Sequence, residues 1–244
     1  MQPISILFLF YAGLTYGHWT FDRTVVNGIK STESKEFEFI RRHSNGYLPM
    51  VFNDEILNST SLRCNEDAVS TDTKILTVNA GDKITFMLDN YYGEPNHINH
   101  PGPQTVYMSR APPGSIASYD GSGDWFKVYE SGLCLPSPDT DDVEHNWCLE
   151  NRTSIEFTIP QNLPAGEYLA RPESLALHYA YKHVVQVFTS CAQLRVISNG
   201  TGTPGPLVKI PGHYARTEPG LSFDIRHPAA NTTYVMPGPK VWLG

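Results

Sequence analysis

The sequence predicts an all-β fold, an antiparallel β-sandwich. Two observations carry that prediction. Apolar and polar residues alternate in several short runs, and 19 glycines and 19 prolines are scattered between them. Such punctuation shortens every element and favours strands joined by long loops. Ile75–Val78 is the first candidate strand. Ile84, Phe86 and Leu88 then alternate with polar residues after the turn Ala80-Gly81-Asp82. Thr105–Met108 and Trp125–Tyr129 follow. The clearest strand is Ser154–Ile159, where Ile155, Phe157 and Ile159 alternate with Ser154, Glu156 and Thr158, the period of a half-buried strand. Glu167–Arg171 and Val184–Val196 complete the set. In the last run, alternation puts Gln186, Phe188 and Ser190 on one face and Val185, Val187, Thr189 and Cys191 on the other. Helical signal is poor, with one or two turns expected at Ser174–Tyr179. Many short strands with turn signals between them suggest a sandwich.

The chain opens on an apolar stretch, Ile4–Leu14, followed by the small-residue site Thr15-Tyr16-Gly17. That reads as a secretory signal peptide over residues 1–17, although no Lys or Arg precedes the apolar stretch. The stretch is too short to span a bilayer, which needs about 20 apolar residues. Removing 17 of the 244 residues leaves 227, suited to a single domain, 18–244, rather than two small ones, with no appended binding module expected. The signal carries no charged side chain, so the formal charge of −7 belongs to the mature protein. That charge argues against nucleic acid or membrane as partners.

Four cysteines lie in the mature chain: Cys64, Cys134, Cys148 and Cys191. In a secreted chain they suggest two disulfides, with three possible connectivities. The favoured one is a local Cys134–Cys148 staple with a long Cys64–Cys191 bridge, worth about 4–5 kcal/mol on the chain-entropy model. No C-x-x-C pair exists, which weakens a zinc reading. Four N-x-S/T sequons, at Asn58, Asn151, Asn199 and Asn231, are candidate glycan sites.

Cleavage after Gly17 would make His18 the first residue. A terminal histidine offers its α-amine and an imidazole nitrogen, and both can chelate one metal ion. Among divalent first-row ions, copper competes best for such nitrogen donors. Of nine histidines, the densest cluster is His97-Ile98-Asn99-His100, which Pro95 and Pro101 place in a loop. His178 and His183 form a further pair. One imidazole added to His18 would give a three-nitrogen site open to oxygen or peroxide. An isolated histidine is by default a surface or hydrogen-bonded core residue. Phe188 is by default core packing, and Gln186 an exposed or hydrogen-bonded polar residue.

Several runs then stop looking generic. They include Val25-Val26-Asn27-Gly28, Val78-Asn79-Ala80-Gly81-Asp82, His100-Pro101-Gly102-Pro103, Leu175-Ala176-Leu177-His178, Gln186-Val187-Phe188, Pro211-Gly212-His213-Tyr214 and Pro237-Gly238-Pro239. In that order and spacing, nearly all of the mature chain resembles the fungal lytic polysaccharide monooxygenases of auxiliary activity family 9. The resemblance implies an immunoglobulin-like β-sandwich with a flat substrate face. It implies one copper ion held by His18 and His100, with His178 and Gln186 hydrogen-bonding oxygen species near it. It also matches Cys64–Cys191 to the family's long disulfide. Tyr234 matches a surface tyrosine of the flat face, and Tyr47 is a second, weaker candidate for stacking on sugar rings.

One departure falls at the axial position. The family usually has tyrosine there, whereas this chain has Phe188, which can neither ligate nor hydrogen-bond but can exclude water. The resemblance implies a secreted monomer that cleaves cellulose or a related β-1,4-glucan oxidatively, using oxygen or hydrogen peroxide and an external reductant. Phe188 motivates an alternative, a copper-binding protein for metal uptake or redox homeostasis without cleavage. A carbohydrate-binding module is a third reading, since fold alone does not set function.

Overall fold

The structure is a computed structural model of the chain, and residues 17–91, 93–134, 143, 145–227 and 233–244 are described. In chain order the elements are β1 (Phe21–Val26), β2 (Met50–Val51), α1 (Asp54–Leu57), α2 (Ser61–Cys64), β3 (Leu76–Asn79), β4 (Lys83–Leu88), β5 (Asn90–Tyr91), β6 (Glu94–Pro95), β7 (Gln104–Arg110), β8 (Trp125–Ser131), β9 (Ser154–Thr158), β10 (Gly166–Tyr179), β11 (Val184–Thr189) and β12 (Ala192–Ile197). A three-stranded sheet runs β1-β4-β9. It faces a seven-stranded sheet in which β2, β11, β10, β12 and β3 follow one another while β7 joins β10 to β8. β5 and β6 make a small separate ribbon. Every strand pair is antiparallel except β12 with β3, so the expected antiparallel sandwich carries one parallel edge.

The layers meet through one apolar core. Phe21, Ile84, Phe86, Ile155 and Phe157 from the smaller sheet pack with Val106, Met108, Phe126, Tyr168, Phe188 and Leu194 from the larger. Each such side chain contributes about 1.5–3 kcal/mol by leaving water. The outer face of the larger sheet is buried too. Tyr107, Trp125, Leu169, Leu175, Leu177, Val185 and Val187 lie there under α2 and the loops carrying Ile210, Tyr214 and Leu221.

Two differences from the sequence reading follow, the first explained by that double burial. Ser174–Tyr179 is not helical; it continues β10, a strand of 14 residues. Its residues from Tyr168 to Leu177 are buried on both faces, which erases the alternation that distinguishes a strand from a buried helix. Val184–Val196 is not one strand, because the chain turns at Ser190-Cys191 and returns as β12. Within β11 the expected faces hold: Phe188 joins the core between the sheets, while Val185, Val187 and Cys191 join the outer one.

Both favoured disulfides are present. Cys64–Cys191 ties the end of α2 to the β11–β12 turn, and Cys134–Cys148 closes a local loop. Asn65, next to the long bridge, donates its side-chain amide to the Thr189 carbonyl at 2.9 Å. Asn58, Asn151 and Asn199 are exposed, whereas Asn231 lies outside the described residues. No described helix is long and apolar enough to cross a membrane.

Candidate metal centre

The candidate site forms where the chain enters β1, beside the end of β10 and the start of β11. His18 leads directly into Trp19, whose indole is buried between the sheets. Trp19 stacks on Phe188, with ring centroids 4.1 Å apart and planes 15° from parallel. This stack anchors the residue after His18 to β11. Trp19 also lies 5.5 Å from the His100 ring, so one indole braces both ends of the site.

His18 and His100 face each other edge to face at 5.5 Å. That is close enough for one ion, about 2 Å from a nitrogen of each ring, to sit between them. His100 comes from the loop before β7, as the flanking prolines predicted. His178, at the end of β10, lies 4.7 Å from His100. Phe188 sits 5.8 Å from His18 and 5.9 Å from His100, closing the inner side of the site with a ring that offers no donor atom. Gln186 is one alternation away from Phe188 on the same face of β11, and its register partners are Ala176 of β10 and Val51 of β2.

The electrostatics favour a cation with nitrogen ligands. Burial, and then the neighbouring His178 and His18, push the His100 imidazole down to about 4, so it is neutral with a free lone pair at neutral pH. Burial also lowers His18. The His100 Nε2 atom is buried and has no hydrogen-bond partner among the described residues, and neither has Gln186 Oε1. Buried polar atoms of native proteins are normally satisfied, so an orphaned imidazole nitrogen fits a missing ligand bond. Among the described residues, no group of three or more His, Cys, Asp or Glu is placed to hold a metal. Two imidazoles completed by an α-amine fall outside such a set.

Two residues that sequence reasoning missed hold the terminal segment in place. Asn96 donates its side-chain amide to the His18 carbonyl at 2.8 Å. Asp89 accepts from the Thr20 backbone N–H at 2.9 Å and from Asn96 at 3.3 Å. The contact from Asn96 spans 78 positions, so no spacing rule could have found it.

The remaining candidates are placed as follows. His97 and His183 are exposed. Tyr47 is 51% exposed and lies three residues ahead of β2, whose Val51 pairs with Gln186. Tyr234 corrects an expectation. It is only 9% exposed, its ring meets Trp147 and Phe223 edge to face, and its hydroxyl donates to the Gly220 carbonyl at 2.9 Å. A tyrosine this deeply enclosed presents no open ring face to a sugar.

His18, ahead of the first strand, and His100, in the loop before β7, thus face each other at one end of a β-sandwich. Comparison with known proteins identifies the family. The model of "Auxiliary Activity family 9 (formerly GH61)" matches residues 18–234, beginning at His18. AA9 family lytic polysaccharide monooxygenase G of Aspergillus tamarii is 42% identical over 96% of this chain and 68% of its own length. AA9 family lytic polysaccharide monooxygenase H of Malbranchea cinnamomea is 38% identical over the whole of both chains. Among solved structures, a cellulose-active polysaccharide monooxygenase from M. thermophila is 26% identical with a TM-score of 0.76, over 93% of this chain and 100% of that one. The chain belongs to Auxiliary Activity family 9, the lytic polysaccharide monooxygenases, and is thus an oxidoreductase of polysaccharides.

Proposed function

We propose that the chain, cut after Gly17 and secreted, is a single-domain copper-dependent monooxygenase that cleaves β-1,4-glucan such as cellulose. The observation that carries this reading is the facing pair His18–His100 at 5.5 Å, with the buried His100 Nε2 lacking a partner among the described residues. The α-amine and imidazole of His18 and the imidazole of His100 would hold the copper. When bound, copper supplies the one-electron exchange that activates oxygen or peroxide. With peroxide the net reaction replaces a C–H bond beside the glycosidic oxygen by C–OH and releases water; the hydroxylated carbon then expels the neighbouring sugar.

The chain's own residues do the rest. His178 can hold and pass a proton at its imidazole, and Gln186 offers a side-chain amide to a small oxygen species, the usual work of groups that surround a metal without ligating it. Phe188 and Trp19 keep water from the inner side of the site, where it would compete for ligand positions. The exposed Tyr47 offers a ring to the polymer. Asn58, Asn151 and Asn199 are open to glycans.

The test uses the processed, copper-loaded protein with cellulose, a reductant and peroxide. Oxidised oligosaccharides are the expected product. Their absence at proven copper occupancy would overturn catalysis and favour the copper-binding reading that Phe188 motivates.

A further inference from the structure

The connection between β10 and β11 carries a patch that the copper chemistry does not use. Tyr179 and Tyr181 are 42% and 37% exposed. They flank Ala180, which is buried and anchors the 3-10 turn Ala180–Lys182 to the outer core. The turn ends at His183, whose backbone is left-handed with φ 57°, and the chain then enters β11. Tyr179 meets His178 edge to face at 4.5 Å, so the patch abuts the candidate metal centre.

Two cations share these rings. The Arg226 guanidinium lies 4.9 Å from the Tyr181 ring centre and 5.8 Å from that of Tyr179, and its Nη1 donates to the Tyr181 hydroxyl at 3.1 Å. Lys182 Nζ lies 5.3 Å and 5.9 Å from the same two rings. The nearby carboxylate, Asp224, stays anionic but turns to other donors, leaving two cations against one anion. Asp224 accepts from the Arg226 and His227 backbone N–H groups and contacts the His227 ring. Among the described residues, neither Lys182 nor Arg226 has a carboxylate partner, although the chain as a whole carries −7. The result is a local positive patch on a negative protein, with apolar ring surface beneath the charge.

We propose that this patch is a subsite for a sugar ring bearing a carboxylate. It would select polysaccharide chains decorated with, or oxidised to, uronate. The proposal rests on the polysaccharide-cleaving reading and names the substrate class that the same surface prefers. The tyrosine rings pack against the C–H face of the sugar, while Arg226, through its planar fork, and Lys182 receive the carboxylate. A neutral glucan meets the rings but leaves both cations unpaired.

The test measures binding of the processed, copper-loaded protein to two probes with one backbone. One is a cello-oligosaccharide partly oxidised at C6 to glucuronate; the other is the same material with its carboxyl groups reduced back. The acidic probe is expected to bind about fivefold more tightly, the scale of one or two exposed ion pairs. That advantage should shrink in added salt and vanish in the double variant Arg226→Gln/Lys182→Gln. Lys83→Gln, on the opposite sheet, should leave it intact. Equal binding of both probes would overturn the subsite while leaving glucan recognition standing. Loss of the advantage in Lys83→Gln would also overturn it, by showing a diffuse charge effect. Failure to bind either probe would overturn both the subsite and the reading on which it rests.

Discussion

The side-chain amide of Asn96 donates to the carbonyl of His18 at 2.8 Å. This single bond fixes the peptide that follows the proposed metal-binding terminus. Partners of this kind position ligands, and their removal typically weakens a metal site about 10- to 100-fold. Asn96→Ala in the processed protein is therefore expected to reduce copper affinity about tenfold, measured by titration of the ion. Asn96→Asp, which lacks the donor, should do the same. Unchanged affinity in both would show that Trp19 and Asp89 hold the terminus without Asn96.

Phe188 lies flat against Trp19 and fills the core between the sheets. Phe188→Ala would open a cavity costing about 3–5 kcal/mol. At about 2–4 °C per kcal/mol for a domain of this size, melting should fall by roughly 10 °C. Phe188→Tyr should cost far less and bring a hydroxyl toward the two histidines. A copper spectrum altered in Phe188→Tyr but not in a remote control would place the ring beside the metal.

The two tyrosines named from sequence should now part company. Tyr234→Ala removes a buried, hydrogen-bonded ring and is expected to cost about 3–5 kcal/mol of stability, seen as a clearly lower melting temperature. Tyr47→Ala should leave stability within about 0.5 kcal/mol, as surface changes do, and weaken adsorption to cellulose. Adsorption unaffected by Tyr47→Ala would remove that residue from the substrate face.

His213 stacks on Tyr214 at 3.8 Å and has no partner for either ring nitrogen among the described residues. Burial pushes it down to about 3, from an ordinary value of 6.5. The unfolded chain takes up a proton below pH 6.5 that the folded chain refuses. The stability this group supports is complete above pH 6.5 and is lost as pH falls toward 3, at up to about 1.4 kcal/mol per pH unit. Glu173 acts in the same direction: burial would raise its carboxyl, but Arg171 holds it below its ordinary value, so its contribution is also lost on acidification, below the usual carboxylate range. Comparing His213→Phe with the parent isolates the histidine. The variant should lose stability less steeply between pH 6.5 and 3 in thermal melts, and parallel curves would refute the assignment.

The long bridge closes 127 residues and the short one 14. On chain entropy the first is worth about 4–5 kcal/mol and the second about 3. Cys64→Ala/Cys191→Ala should therefore lower the denaturation midpoint more than Cys134→Ala/Cys148→Ala.

Strands that are half-buried were legible because their side chains alternate; Ser154–Thr158 and Lys83–Leu88 are of this kind. β1 was not. A register shift between Phe21 and Arg23 breaks its period, and Asp22 is buried inside it, where burial raises its carboxyl to about 6. The site divides in the same way. Its histidines stood out as residue types, and the family resemblance ordered them. Asn96, Asp89 and the Tyr179–Tyr181 patch depend on contacts between distant segments, which no local pattern encodes. Tyr234 was misplaced because a position in sequence does not say which loops cover it.

The contrast along β10 has a consequence for divergence. From Tyr168 to Leu177 the strand is enclosed on both faces, so almost any substitution there disturbs packing. Two residues later the chain emerges into solvent, and Tyr179, Tyr181 and Lys182 answer to no core. If the patch binds uronate as proposed, the polymer a descendant prefers can be rewritten within one short turn, beside a candidate metal centre whose frame stays the same.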